Sequence, residues 1–303
     1  MPNILAHCGV QGILTHAIIK DAPPAWITVG CLIPDMPWIL VRIVSEFIPN
    51  SAAYNLRAYA IVQATLGLSL LLSAGLACLS PRPGFIFRIL ALNAVLHLLL
   101  DASQIKWANG VHFFAPFSWT LLNWGWFWPE SLTTILCTVL GVIYLLWAML
   151  HRSRPKPTLP SSRTRRWTLA TICTAAYFLL PFAFWHGPYA ADNHFMKTLR
   201  ERDVRADRYI EMDRADYARL ETGAKVFSLV GEGINVQEPL RETASKISVK
   251  GTFVDAETIR IDQLQIHWPR FRDGASYIGL IWLVVLWFKS WWQFKTASAS
   301  RLA

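Results

Sequence analysis

The acidic residues of this chain are almost confined to one stretch. Of the 20 Asp and Glu residues, 15 lie between positions 192 and 273. The other five are Asp21, Asp35, Glu46, Asp101 and Glu130. Charged residues make up only 16% of the chain, against about 25% in an average soluble protein. This distribution excludes a single soluble globule and a disordered chain, and it predicts a polytopic α-helical membrane protein with one water-facing insert.

The basic residues follow a different distribution. Residues 192–274 hold 14 Lys and Arg against 15 acids, a net charge of −1. The rest of the chain therefore carries +10, which gives the total of +9. A basic excess beside apolar segments is typical of membrane proteins and differs from a nucleic-acid footprint. We therefore expect membrane lipids as partners, and no nucleic acid.

About five to seven segments are candidates for membrane segments. Four are almost wholly apolar and close to the ~20 residues that a spanning helix needs: 58–79, 85–100, 131–150 and 167–185. A fifth, 275–292, ends in a Trp-rich stretch suited to a membrane interface. Two further stretches, 4–19 and 26–48, contain histidines or a Pro-Asp step. These two are either two spans or a re-entrant hairpin that turns at 21–24.

Basic loops predict the orientation. Residues 151–166 contain six Lys and Arg and no acid, so this loop should be cytoplasmic, as should the basic C-terminal tail. Counting spans outward places residues 102–130 and 186–274 on the external side. The prediction is a multi-pass protein of the inner (plasma) membrane with a periplasmic or extracytoplasmic insert and a cytoplasmic C-terminus.

The insert changes the hydrophobic period to two, which indicates β-strands. The predicted strands are 225–230, 233–237, 246–250 and 258–262, preceded by a short solvated helix within 192–208 and an edge strand at 209–217. Short alternating strands need a sheet with a covered face or a small barrel, and an OB-like barrel is one fold of that kind. The alternative is a structural cap over the membrane part. The predicted domains are residues 1–185 (helical, with a metal site), 186–274 (β-rich) and 275–303 (last span and tail).

Polar residues inside apolar helices are costly and mark functional sites. Asn93, His97, Asp101 and Gln104 are spaced by four, four and three residues, so they share one face of a helix. His97 and Asp101, one turn apart, suit two ligands of one divalent ion, or one ligand and its outer partner. The alternative is a hydrogen-bonded pair that packs helices and binds no metal.

Further candidate ligands come from the two N-terminal stretches. His7 lies on a stripe with Asn3 and Gln11, and Asp35 lies between Pro34 and Pro37, where it is either a ligand or a helix N-cap. Two imidazoles and two carboxylates fit zinc or manganese.

His16 is a weaker metal candidate. It lies nine residues after His7, so the two rings face opposite sides of an ideal helix. The two side chains share an ion only if the helix breaks, for which Gly9 or Gly12 is the place.

The segment after Asp101 is rich in aromatic residues. Its tryptophans are Trp107, Trp119, Trp124, Trp126 and Trp128. Such density is typical of an interfacial belt, and the sharper interpretation is a lipid-facing lip over a site near the external surface. His112 and Glu130 are additional polar candidates there.

The order of several short motifs resembles a known family. The motifs are MPNILAH (1–7), GCLIPD (30–35), HLLLD (97–101) and GVHFFAP (110–116). Together they resemble bacterial membrane-bound metal-dependent hydrolases of the LexA-regulated inner-membrane type, over the first half of the chain. The resemblance implies a helical membrane-embedded fold in which His7, Asp35, His97 and Asp101 bind the metal.

The chain also departs from that family pattern. Pro37 stands where the family has a second acid, and residues 55–62 (NLRAYAIV) replace an HRGxTHS-like segment, with Arg57 as its remnant. The external insert has no counterpart in the family.

The leading functional prediction is a metal-dependent hydrolase at the external membrane face, acting on an amphiphilic lipid or lipid-linked substrate. No nucleophile or separate general base is assigned. The competing prediction is a non-catalytic membrane protein whose external domain binds a cell-envelope partner. A transporter is disfavoured because no pair of spans shows repeat symmetry.

Overall fold

The protein is described by a computed structural model that covers residues 3–45, 47, 52–150, 163–191, 195–221, 223–240, 244–268 and 270–299. The first six helices are α1 (Ile4–Ile18), α2 (Pro24–Leu32), α3 (Met36–Val44), α4 (Ala53–Gln63), α5 (Leu66–Cys78) and α6 (Pro83–Ser103). They are followed by α7 (Leu132–Leu150), α8 (Arg163–Phe184), α9 (His186–Ala190), α10 (Met196–Arg200) and, at the C-terminal end, α11 (Phe271–Ala299). Between α10 and α11 lie β1 (Tyr209–Leu220), β2 (Gly223–Phe227), β3 (Gly233–Val236), β4 (Lys246–Phe253) and β5 (Thr258–Ile266).

Five helices within the described residues have the length and hydropathy of membrane spans. They are Pro24–Val44, Pro83–Ser103, Leu132–Leu150, Thr164–Ala190 and Phe271–Gln293. A sixth candidate arises if α4 and α5 form one broken span. These helices are compatible with a multi-pass membrane protein.

The predicted span over residues 58–79 is interrupted in the structure. The chain bends by 68° between α4 and α5, at Ala64 and Thr65. The two halves have different neighbours, since Tyr54, Ala58 and Ile61 of α4 enter the core of the β-domain while α5 packs against α6 and α8. Hydropathy does not reveal the break because both halves are apolar.

The two N-terminal stretches differ in length. α2 and α3 continue through a 3-10 turn at Ile33–Asp35 into one candidate span, whereas α1 has 15 residues and is a shorter apolar helix. α1 packs closely on α7: the two backbones are so near at Gly141 that a Cβ there would collide with the carbonyl oxygen of Leu5. Residues 46 and 48–51, at the end of the second stretch, lie outside the described part of the chain.

The five strands close into a barrel in the order β1-β2-β3-β5-β4, with β3 and β5 parallel and the other pairs antiparallel. The four alternating strands are confirmed. The prediction that residues 209–217 form an edge strand is wrong, because β1 pairs with both β2 and β4. A barrel satisfies both backbone edges of every strand, so β1 has no free edge.

The segment before the barrel differs from the predicted solvated helix. α10 is five residues long, and its Met196 and Leu199 are buried in the core of the β-domain. That core also contains Tyr54, Ala58 and Ile61 of α4, so barrel and helices share one apolar cluster. Residues 192–194 and the basic loop at 151–162 lie outside the described residues.

Candidate metal centre

Three helical segments bring four candidate ligands together. His7 lies near the start of α1, Asp35 ends the 3-10 turn between α2 and α3, and His97 and Asp101 occupy successive turns of α6. All four are buried, with exposures of 6% or less. The i, i+4 spacing on α6 therefore places both side chains in the helix interface.

The ligand-type atoms converge at short range. His7 Nε2 lies 3.5 Å from Asp101 Oδ1, and His97 Nε2 lies 3.8 Å from Asp101 Oδ2 and 3.4 Å from Asp35 Oδ1. The two imidazole rings are stacked, with centroids 3.8 Å apart and planes within 7°. Ligand atoms of His7, His97 and Asp101 all lie within 4.8 Å of one another, so this group can hold a metal ion.

The other ring nitrogens are engaged outside the cluster. His97 Nδ1 lies 2.8 Å from the carbonyl oxygen of Cys31, a contact in which Nδ1–H donates. That tautomer leaves Nε2 with a lone pair that faces the cluster. His7 Nδ1 lies 2.9 Å from Gln11 Nε2, an amide donor, so Nδ1 accepts and a neutral His7 carries its proton on Nε2, facing Asp101. A metal ion at His7 Nε2 would displace this proton. A backbone carbonyl that accepts from the other ring nitrogen, as at His97, is typical of histidines that bind metal.

Four atoms inside the cluster lack hydrogen bonds to any described residue. They are His7 Nε2, Asp35 Oδ1, His97 Nε2 and Asp101 Oδ1. Buried polar atoms are normally satisfied, so a convergent set of unsatisfied ones indicates a missing partner. Ligands about 2.0–2.2 Å from a tetrahedral ion lie roughly 3.3–3.6 Å apart, close to the separations found here. The residues therefore fit a divalent ion.

Asp35 occupies the N-cap position of α3, but its side chain makes no capping hydrogen bond. Its Oδ1 faces His97 instead. Asp35 is thus adjacent to the three-residue group and not within ligand range of all of its members.

Nothing in the sequence indicates that Lys106 belongs to this cluster. It is 4% exposed, and its Nζ lies 3.2 Å from Asp101 Oδ1. The segment that carries it is anchored by backbone hydrogen bonds from Ile105 to Phe127 and from Trp124 to Ala102. A lone lysine after a polar helix stripe is an ordinary sequence feature, and only the fold of the loop directs it toward the aspartate.

His16 packs against α7. Its ring lies 5.1 Å from that of Trp147 and 6.0 Å from that of Tyr144. α1 is continuous through Gly9 and Gly12, where the close contacts with α7 occur. His16 is therefore outside the three-residue group that can hold a metal.

The remaining members of the two polar stripes bond elsewhere. Asn93 donates to Thr15 at 3.0 Å, Asn3 donates to Thr138 at 2.8 Å, and Gln104 reaches Thr134 at 3.5 Å. These bonds join α6 to α1, and α1 and the end of α6 to α7. The stripes therefore combine a cluster of ligand type with ordinary helix-packing bonds.

The Trp-rich segment after Asp101, residues 104–130, folds back on itself. Isolated bridges pair Gln104 with Phe127 and Val111 with Leu122. Phe114, Phe117, Trp124 and Trp126 project from it as large exposed apolar side chains. His112 donates from Nδ1 to the Trp119 carbonyl at 2.7 Å, so it braces this segment. Burial, followed by the nearby charge of Arg57, holds the pKa of His112 below its ordinary value despite that bond.

Glu130 and His267 form a buried network with the barrel. Glu130 Oε1 accepts from Arg214 at 2.8 Å and lies 3.0 Å from His267 Nδ1. His267 itself is buried, with an exposure of 2%. Burial raises the pKa of Glu130, but the hydrogen bonds and charges of His267 and Arg214 outweigh it and hold that pKa below its usual value.

Ser248 completes this network but is unsuited to nucleophilic catalysis. Its Oγ lies 2.7 Å from His267 Nε2, which with Glu130 gives the order of a Ser-His-acid triad. However, Ser248 is fully buried and its hydroxyl already donates to Asp213 at 2.9 Å. The network instead fixes a β-bulge at Asp213 and Arg214, where Arg214 has a φ of 53°.

Comparison of the chain with protein-family models, curated proteins and solved structures finds no match.

Proposed function

We propose that the protein is a membrane-embedded, metal-dependent hydrolase whose site is the cluster of His7, Asp35, His97 and Asp101. The observation that carries this proposal is the convergence of four buried ligand-type atoms that make no hydrogen bond to the described residues. One of them, Asp101 Oδ1, has an ion-pair contact with Lys106 Nζ at 3.2 Å. The neighbouring polar side chains Asn93 and Asn3 instead donate to hydroxyl oxygens of other helices, as residues that serve helix packing do.

A divalent ion held by these residues, zinc or manganese by its ligand types, would polarise an acyl or phosphoryl group and activate water for its hydrolysis. The chain's own residues hold the site for this role. The Cys31 carbonyl and the Gln11 amide fix the two imidazole orientations. The surrounding helices exclude bulk water, as the low exposure of all four residues requires.

Lys106 favours one ion over two. Its ammonium group occupies one side of Asp101, so this carboxylate has limited room to bridge a second cation. With neutral histidines, Asp35, Asp101 and Lys106 carry a net charge of −1. One divalent ion would bring the charge of the site to about +1, and a second ion would bring it to about +3.

The substrate class follows from the position of the cluster. The aromatic segment that carries Lys106 exposes four large apolar side chains, which suits an interface with lipid. We place the site at the external face of an inner membrane, with the barrel on the same side, because the segment contacts the barrel through Ala108 and Glu211 at 2.7 Å. The substrate is then a lipid or a lipid-linked molecule.

The barrel is OB-like in this proposal. A closed five-stranded barrel with parallel β3 and β5 is the arrangement of that fold, and it supports the interpretation without naming a ligand.

Hydrolysis is tested with the full-length protein in mixed micelles of fluorescent phospholipids. Chelation should abolish turnover, zinc or manganese should restore it, and His97→Ala should remain inactive after metal addition. Gln104→Leu, which alters the same face of α6 without touching the cluster, should remain active. Turnover that survives both chelation and His97→Ala overturns the proposed site.

The second candidate function is a non-catalytic membrane protein with an envelope partner. Lys106 is the observation that favours it, since the ammonium group together with a protonated histidine would neutralise both carboxylates. In that case His97→Ala would change stability and leave metal content unchanged.

A further inference from the structure

A pocket separate from the histidine–aspartate cluster lies where the barrel meets the helices. It has a volume of about 250 Å³ and is open on one side. Its walls come from Arg57 on α4, Asn109 in the Trp-rich segment, Phe195 before α10, and the bulge of β1 at Asp213 and Arg214. At least four separate parts of the chain therefore contribute to it.

Arg57 lies between two aromatic rings. Its guanidinium carbon is 4.9 Å from the ring centroid of Phe195 and 5.6 Å from that of Trp38. Its Nε is buried and has no hydrogen-bond partner among the described residues. Stacking fixes the plane of the group but uses none of its N–H donors, so they remain available for an oxyanion.

Most other charges of the pocket are already neutralised. Arg214 pairs with Glu130 at 2.8 Å, and Asp216 pairs with Lys246 at 2.7 Å. Asp213 accepts only the neutral hydroxyl of Ser248, and no described cation forms an ion pair with it. Asp213 is near enough to Arg57 for their charges to interact, yet the two form no ion pair.

The pocket therefore presents one available cation on the helical side and one available anion on the barrel side. The β-bulge turns Asp213 out of the regular strand alternation, as bulges beside binding sites commonly do. The volume is below the roughly 300–1,000 Å³ of a drug-sized site, which suits a small polar group.

We propose that this pocket binds a zwitterionic phosphoryl-ammonium group such as phosphoethanolamine, with the phosphate at Arg57 and the ammonium at Asp213. The group comes from either a phospholipid headgroup or a soluble phosphodiester. This binding requires no metal and does not rest on the proposed hydrolase.

The test is calorimetric titration of the full-length protein in nanodiscs of anionic phosphatidylglycerol, with chelator present. Glycerophosphoethanolamine should bind saturably, and glycerol phosphate and ethanolamine should each bind at least tenfold more weakly. Phosphatidylethanolamine in the nanodisc should suppress the titration if the lipid is the occupant, and leave it unchanged if the soluble group is.

Variants separate the two walls. Arg57→Gln should lower the affinity for glycerophosphoethanolamine at least tenfold and Arg57→Lys should restore it in part, since lysine keeps the charge and loses the planar donor pair. Arg260→Gln, on the exposed outer side of the barrel, is the matched control.

Asp213→Asn should remove the preference for glycerophosphoethanolamine over glycerol phosphate, and it keeps the test decisive if Arg57→Gln fails to fold. Absence of saturable binding, or equal affinities in Arg57→Gln and Arg260→Gln, overturns the proposal.

Discussion

At the scale of single residues, the cluster depends on groups that orient ligands as much as on the ligands. His97 and Asp101 were predictable because an imidazole and a carboxylate one turn apart stand out on an apolar helix. Lys106 and the Cys31 carbonyl were not, because their positions result from how the loop folds and from a backbone atom that every residue carries.

The role of Gln11 gives a first prediction. Gln11→Leu removes the partner of His7 Nδ1, so metal affinity should fall roughly 10–100-fold, the usual cost of losing an outer partner. Gln104→Leu removes a buried amide of the same kind that bonds only toward Thr134, and it should leave affinity unchanged. Zinc titration against a competing chelator measures both. Equal losses in the two variants would show that Gln11 has no specific role.

The Glu130 network gives a second prediction. Because the folded-state pKa of Glu130 lies below its usual value of 4.5, its stabilising contribution is complete above about pH 4.5 and is lost as pH falls through the folded value. Glu130→Gln should therefore lower stability at pH 7 by roughly 1–3 kcal/mol, and the difference should shrink in more acidic buffer. Melting temperatures of both proteins in detergent from pH 3 to 8 provide the measurement. A difference that is constant over this range contradicts the ion-pair interpretation.

At the scale of elements, helix contacts set the site more than helix propensity does. The alternating pattern of the barrel strands was predictable, since burial on one face leaves a period of two in the sequence. The 68° break between α4 and α5 was not, because it arises from two apolar helices that pack on different neighbours. The closure of β1 on both sides was also beyond the sequence, because pairing partners leave no local pattern.

The α1–α7 contact gives a third prediction. A Cβ at Gly141 meets the Leu5 carbonyl, so Gly141→Ala should push α1 away from α7 and displace His7. The expected cost of overpacking is about 1–3 kcal/mol, together with weaker metal binding. Gly84→Ala is the matched control, since a Cβ there has no neighbour within 4 Å. Thermal melts and metal titration of the pair decide the point, and identical behaviour of the two variants contradicts it.

At the scale of the whole molecule, barrel and helices act as one structure. Their shared core joins Ala58 of α4 to barrel residues such as Ile210, and Glu130 ties the Trp-rich segment to Arg214 and His267. The acid distribution in the sequence marked the region that contains the barrel but gave no sign of these contacts. The histidine–aspartate cluster and the pocket at Arg57 lie close together along the chain, next to Lys106 and Asn109 respectively.

The basic loops give a fourth prediction, on orientation. In a variant whose five native cysteines are replaced, Glu257→Cys on the barrel should react with an impermeant maleimide in intact cells whose outer membrane is permeable. Pro81→Cys, in the exposed turn between α5 and α6, should react only after the inner membrane is opened. Labelling of both positions from the same side would contradict the orientation.

The central claim is that the buried histidine–aspartate cluster binds a divalent ion. The most direct measurement is the metal content of the purified full-length protein after incubation with zinc or manganese and removal of excess ion. We predict about one ion per chain in the wild type and in Gln104→Leu, and none in His97→Ala, because loss of a ligand from a small site removes most of its affinity. A wild type without bound ion, or a His97→Ala variant with the same content as wild type, would contradict the claim.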